Sequence, residues 1–268
     1  MKRNTPLIIF SDLDGTLLDH DSYSWDPARP ALSRLAALAV PVILATSKTE
    51  DETAALQCEM GLSDYPAIVE NGAGVIGLPG HSNSGPAEYN RLRTHLDNAP
   101  EQLRRFFKGF GDMSIDEVSQ TTGLPPADAA RAKTRRFSEP GLWSGTVHDR
   151  ETLLAALAKQ GISARLGGRF LTLSFGKTKR DGMAAVAEHF GAERTVALGD
   201  APNDVEMLEA ADIGVIIANA HSAPLPRLPG EGSGGIIRTI NTGPTGWNDA
   251  VISILDELGL TTKDSSIG

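Results

Sequence analysis

A chain of 268 residues with 40% hydrophobic content carries enough apolar mass for the packed core of one large domain or two modest ones. Its formal net charge of −9 lacks the basic face expected of a general nucleic-acid binder, so an anionic ligand needs a local basic pocket. The basic start MKRNTPLIIF is cut by Ser11 and Asp12 too soon for a secretion signal and no segment approaches a membrane span, while the single cysteine, Cys58, is expected as a buried thiol in a reducing cytoplasm.

Short apolar runs alternate with amphipathic segments from the start to about Leu78, the rhythm of βαβ units. LIIF reads as a strand, Asp26-Pro27 as a helix start, PVILA as the next strand, Glu50 to Met60 as a helix stopped by Gly61, and AIVE as a third strand turning at Asn71-Gly72 into GVIGL. The Gly/Pro/Ser-rich stretch Leu78 to Glu88 reads as a linker into a second module. There, helices are expected over Glu88 to Leu96, Glu101 to Phe110, Ser114 to Gln120 and Arg150 to Lys159. Two strands, ISARL and RFLTLSF, follow, giving a sheet with helices on one face. The first rhythm then returns: helix Lys179 to Phe190, strand TVALG, helix VEMLEAA, strand IGVII, a surface loop from Ala218 to Gly235 and a last helix near Asn248 to Leu258. The expected organisation is an α/β core with a Rossmann-like parallel sheet over 1–82 and 176–268, interrupted by an inserted α/β module over 83–175.

Three polar clusters each follow directly on an apolar strand: SDLDGT after LIIF, TSKT after VIL, and GDAPND after TVAL. Parallel neighbouring strands bring their carboxyl ends to one edge, so Asp12, Asp14, Thr46 and Asp200 are expected to converge. Asp12 and Asp14, two apart in an extended segment, share a face, and one can attack phosphorus while the other handles the leaving-group proton. Phosphoryl transfer also needs a divalent cation and donors for the equatorial oxygens. Mg2+ fits Asp12 and Asp200, with Asp204 as a further ligand or as the holder of its waters. Thr46 offers a hydroxyl, Ser47 and Lys48 offer amides, and Asn203 offers a side-chain amide to the phosphate or substrate edge. The remaining positive charge is assigned to Lys179, in the first turn of a helix capped by Thr178 and Asp181, with Lys177 as its competitor.

Together DLDGTLL, the Thr46 strand end, the lysine and GDAPND resemble the four motifs of the haloacid dehalogenase superfamily of phosphatases, and the inserted module looks like a class IIB cap. The resemblance implies that Asp12 forms a phospho-aspartate, that Asp14 is acid and base and lends its backbone carbonyl to magnesium, and that Thr46 and Lys179 bind the phosphoryl group. Lys179 departs from the commoner lysine-glycine pattern, since Arg180 and Asp181 precede Gly182. Within the superfamily, LLDHDSYSWDPA, ATSKTE, VENGAG, RRFSEP and GGRF look most like mannosyl-3-phosphoglycerate phosphatases. The implied substrate is a sugar joined to 3-phosphoglycerate, a small molecule carrying phosphate, carboxylate and hydroxyls. Arg136 and Arg169 are expected to meet the carboxylate, within or beside a basic cluster of Arg131, Lys133, Arg135 and Arg136. Glu70 and Asn71 either meet sugar hydroxyls or simply form the turn. No nucleic acid or membrane partner is expected, and the sequence carries no signature of oligomeric state.

Overall fold

The computed structural model describes residues 5–79, 85–167 and 169–260. The chain divides after Thr46 and after Gly182 into two compact units, Met1–Thr46 with Met183–Gly268, and Ser47–Gly182. The elements are β1 (Ile8–Ser11), α1 (Arg29–Ala37), β2 (Val42–Leu44), α2 (Glu50–Met60), β3 (Ala67–Val69), β4 (Gly74–Ile76), α3 (Gly85–Asp97), α4 (Glu101–Arg104), β5 (Phe107–Gly109), α5 (Ile115–Thr122) and α6 (Pro126–Ala132). They continue as β6 (Ser138–Trp143), α7 (Val147–Ala158), β7 (Ser163–Gly167), β8 (Phe170–Ser174), α8 (Lys179–Phe190), β9 (Thr195–Gly199), α9 (Val205–Ala210), β10 (Ile213–Ala218), β11 (Ile236–Thr242) and α10 (Gly243–Glu257).

The first unit is built on a five-stranded sheet of order β11-β10-β9-β1-β2, parallel at every pairing. Its central strands β1, β9 and β10 are largely apolar without alternation and buried except at the ends of β9 and β10, as helix-covered parallel sheets require. Register places Ser11 beside Leu44 on one side and Leu198 on the other, so the residues after β1, β2 and β9 emerge at one edge. Helix α10 buries Trp247, Val251, Ile254 and Leu255, and Trp247 Nε1 donates to Ser11 Oγ at 2.9 Å. β11 was not expected from the sequence, and α10 starts five residues before Asn248 because Pro244 occupies its first turn.

In the second unit α2 runs over the expected residues, with a Thr49–Glu52 capping box and Gly61 closing it in the left-handed conformation. β3 and β4 pair antiparallel as a separate two-stranded sheet, so the AIVE strand lies outside the parallel sheet in which it was expected. A four-stranded antiparallel sheet of order β5-β6-β8-β7 lies wholly inside 83–175. One face packs Phe107, Leu171 and Leu173 with Leu92 and Leu96 of α3 and Leu153 and Leu157 of α7. The other packs Leu142 and Phe170 with Val118 of α5 and Ala129 and Ala132 of α6. Helices therefore cover parts of both faces, where one was expected, because α6 was not read from the sequence. The helix expected over Glu101 to Phe110 ends at Arg104: Phe107–Gly109 pairs with β6, and a strand partner overrides a short helical pattern.

The units divide at 46/47 and 182/183 where the sequence suggested 82/83 and 175/176. The segment 47–79 is tied to the inserted segment by hydrogen bonds: Thr49 Oγ1 donates to the Arg131 carbonyl at 3.0 Å, and Glu70 accepts from the backbone N–H groups of residues 136–138. Cys58 is exposed on α2, against the buried position expected for it. Five residues of the expected linker, 80–84, lie outside the described residues, and α3 begins within the rest of it.

Gly72 has φ +89°, and a Cβ there would overlap the Thr178 backbone, whereas Gly61 at φ +71° faces open space. Gly72→Ala is therefore expected to cost about 3 kcal/mol or more in chemical denaturation, and Gly61→Ala about 1 kcal/mol, the left-handed penalty alone. Equal costs would contradict the packing of the 70–72 turn against Thr178.

Candidate active site

The edge of the parallel sheet carries the chemistry. Asp12 follows β1, its N–H donating to the Leu198 carbonyl at 2.9 Å, while Ser11 Oγ donates to the Asp12 carbonyl at 2.7 Å. The chain then folds back: Leu18 N–H donates to the Leu13 carbonyl at 2.8 Å and Gly15 N–H to the Leu18 carbonyl at 3.0 Å, holding Asp14 in the turn. Ala45 N–H donates to the Ser11 carbonyl at 2.7 Å, which brings the fully buried Thr46 out at this same edge. Asp200 follows β9, and Asp12, Asp200 and Asp204, all buried, offer carboxylate oxygens within 4.8 Å of one another.

Two of these carboxylates are oriented by donors. Thr16 Oγ1 donates to Asp200 Oδ1 at 2.8 Å and Asn219 Nδ2 donates to Asp200 Oδ2 at 2.7 Å. Asp204 Oδ2 accepts the N–H groups of Asp200 at 3.1 Å and Ala201 at 3.0 Å, bracing the turn that holds Asp200. Buried, convergent oxygen donors suit a hard divalent cation, so the set of Asp12, Asp200 and Asp204 fits Mg2+. Asn203 lies in the 3-10 turn Pro202–Asp204. Thr16 and Asn219 were missed in the sequence, although Asn219 follows the apolar β10 as Asp12 follows β1 and the same strand-end rule points to it.

Lys179 opens α8 in the second unit. The expected cap forms, with Thr178 N–H donating to Asp181 Oδ2 at 2.9 Å and Asp181 N–H to Thr178 Oγ1 at 3.4 Å. Lys179 is 1% exposed while Lys177 is exposed, and an ammonium buried to that degree needs anionic or strongly accepting company.

Glu70 is the hub of this unit. It sits at φ +51° with Asn71 at +61°, a strained pair outside glycine, and its carboxylate is buried. Its oxygens accept from Arg136 N–H at 2.8 Å, Phe137 N–H at 3.2 Å, Ser138 N–H at 2.8 Å and Ser138 Oγ at 2.7 Å, and Arg135 Nε lies 3.4 Å away. Glu70 thus ties the 70–72 turn to residues 136–138. Glu70 N–H donates to the Lys48 carbonyl at 2.9 Å, and Arg135 donates to the Ser47 carbonyl at 3.2 and 3.3 Å. The loop carrying Ser47 and Lys48 is thereby fixed through its carbonyls.

The arginines separate. Arg136 forms an ion pair with Glu50, so its guanidinium is engaged within the protein, where a carboxylate clamp was expected. Arg169 is exposed at the β7–β8 tip, donating to the Thr122 carbonyl at 3.4 Å with its guanidinium 5.5 Å from the Phe170 ring centroid. Arg131 pairs with Asp128 one turn earlier on α6. Further inside the antiparallel module, Glu139 is fully buried and accepts from Tyr89 Oη and from Gly111 N–H at 2.7 Å, with Arg93 at 3.3 Å. Burial holds its carboxyl above the usual range against those hydrogen bonds.

Comparison with known proteins agrees with this geometry. A model of the haloacid dehalogenase-like hydrolase family matches residues 9–92 and 155–225. The chain is 34% identical over 277 residues to a glucosyl-3-phosphoglycerate/mannosyl-3-phosphoglycerate phosphatase of Persephonella marina, covering 94% of this chain and 98% of that protein. Among solved structures, the subclass IIB sugar phosphatase BT4131 superposes with a TM-score of 0.63 at 17% identity, covering 95% of this chain and 99% of that one. The sucrose-phosphatase of Synechocystis sp. PCC6803 gives a TM-score of 0.63 at 15% identity, with 96% and 100% covered. With a family match over more than half its length and a relative aligned almost end to end, the chain belongs to the haloacid dehalogenase-like hydrolases, and its activity is that of a phosphatase.

Proposed function

We propose that this phosphatase is magnesium-dependent and hydrolyses mannosyl-3-phosphoglycerate to mannosylglycerate and phosphate through a phospho-aspartate. The observation that carries the reaction is the buried convergence of Asp12, Asp200 and Asp204 at the edge of a parallel sheet. The substrate rests on the near full-length likeness to the Persephonella marina enzyme together with the segments ATSKTE, VENGAG and RRFSEP.

Asp12 supplies the nucleophilic oxygen. As it bonds to phosphorus, the bond from phosphorus to the glycerate oxygen breaks and Asp14 gives that oxygen its proton. Asp14 then takes a proton from water, which attacks phosphorus and releases Asp12 with inorganic phosphate. Thr46 and the amides of Ser47 and Lys48 donate to the phosphoryl oxygens, and Lys179 supplies the positive charge. Its burial, against the exposure of Lys177, favours it for that role. Asp12, the Asp14 carbonyl, Asp200 and Asp204 would hold Mg2+, which when bound offsets charge on the phosphoryl group. Asn203 and Asn71 are assigned to the substrate edge, and Arg169 to the glycerate carboxylate. We assign the reaction to the cytoplasm, a setting compatible with the single exposed cysteine. No described helix is long and apolar enough to cross a membrane.

Phosphate release from a panel of phosphoesters, with Mg2+ or with chelator, tests the substrate. Mannosyl-3-phosphoglycerate is expected to exceed hexose phosphates and sucrose phosphate in kcat/KM by at least about a hundredfold, the scale of a recognised polar group. The glucosyl analogue in the same panel reads the sugar preference. Similar rates across small phosphoesters would reject the assignment. Lys179→Ala is expected to lower kcat by about a hundredfold or more at saturating Mg2+, as loss of a preorganised charge does, and Lys177→Ala by much less. The reverse order would assign the phosphate-binding charge to Lys177.

A further inference from the structure

Asp200 is held by two side chains that arrive from opposite ends of the first unit's sequence. Thr16 donates to one carboxylate oxygen and Asn219 to the other, at 2.8 and 2.7 Å. An aspartate carboxylate turns freely about its last torsion, but one donor on each oxygen fixes its plane. Both donors are neutral, so they orient the carboxylate without cancelling the charge that a cation needs.

The amide of Asn219 is itself oriented. Its Oδ1 accepts the N–H of His221 at 2.8 Å, a role only an oxygen can fill, which leaves the NH2 group facing Asp200. The loop bearing both residues is fastened beyond that point. The His221 ring stacks on His20 with centroids 4.2 Å apart and planes 20° from parallel, and His221 Nε2 lies 3.3 Å from Asp21 Oδ2. Gly15 opens the space: at φ +79°, a Cβ there would meet Asn219 Nδ2 at 2.5 Å and Asp200 Oδ2 at 3.0 Å.

We propose that Asn219 is a positioning residue for the cation-binding carboxylate of Asp200, and that the His20–His221 stack latches Asn219 in place. The inference rests on the magnesium reading above and is independent of the substrate.

Titration calorimetry of Mg2+ into the metal-free enzyme, the Asn219→Ala variant and the His221→Ala variant tests it, with melting midpoints measured in chelator. Asn219→Ala is expected to weaken Mg2+ binding about tenfold or more, the usual effect of removing a group that orients a ligand, and His221→Ala by about threefold. The metal-free melting midpoints are expected to fall by a few degrees at most, the scale of one lost hydrogen bond to a charged group, and kcat of Asn219→Ala to recover when Mg2+ is raised to saturation. Mg2+ affinity within twofold of the parent in Asn219→Ala overturns the inference, as does a kcat that stays low at saturating Mg2+. Absence of binding by the parent itself withdraws the magnesium reading and the inference together, so the two failures are distinguishable.

Discussion

Three carboxylates brought within 4.8 Å of one another in buried surroundings are the constraint around which the first unit is built. At an effective dielectric of about 20, two such charges repel by roughly 3–4 kcal/mol, while a hydrogen bond to a charged acceptor returns about 1.5–3 kcal/mol. The donors from Thr16, Asn219 and the amides of residues 200 and 201 are thus of the size needed to hold the cluster in register. A parallel sheet supplies the rest, because strands that end together deliver side chains from residues 12 and 200 to one place without a long reach. Trp247 on the last helix extends this support: its indole holds Ser11 Oγ, which in turn holds the carbonyl of Asp12.

The second unit solves a different problem with an internal anion. Glu70 gathers three consecutive backbone N–H groups of the inserted segment, a hydroxyl and the Arg135 guanidinium, while its own N–H fixes the Lys48 carbonyl. Charge-assisted hydrogen bonds to a buried carboxylate are strong and leave few alternatives. Two segments assigned to phosphate binding, 47–48 and the start of α8, are therefore tied to the turn at residues 70–72, the second by the close approach of Gly72 to Thr178 and Lys179.

Much of this was legible in the sequence because it depends on local pattern. Apolar strands followed by DLDGT, TSK and GDAPND announce both the sheet and the residues on its edge, and the Thr178–Asp181 cap announces α8 with Lys179 inside its first turn. What escaped depends on distant partners. β6 is masked by Pro140 and Gly141, and β11 is an edge strand largely exposed along its length, so neither shows an apolar run. β5 hides in a helical pattern that only pairing with β6 breaks. Glu70 reads as a strand-end acid until the N–H groups of residues 136–138 arrive from 66 and more positions away, and Arg136 reads as a free guanidinium until Glu50 meets it. Periodicity places elements, but the use to which a charged side chain is put is decided by what the fold sets opposite it.

The central claim is that Asp12 carries the phosphoryl group in a covalent intermediate before water receives it. The stereochemical course at phosphorus tests this most directly, because each in-line displacement inverts the configuration. A substrate made chiral at phosphorus with oxygen isotopes and sulfur, hydrolysed in isotopically labelled water, is predicted to give inorganic thiophosphate of retained configuration, the product of two successive inversions. Inverted configuration would mean that water attacks in a single step, and Asp12 would not be the nucleophile.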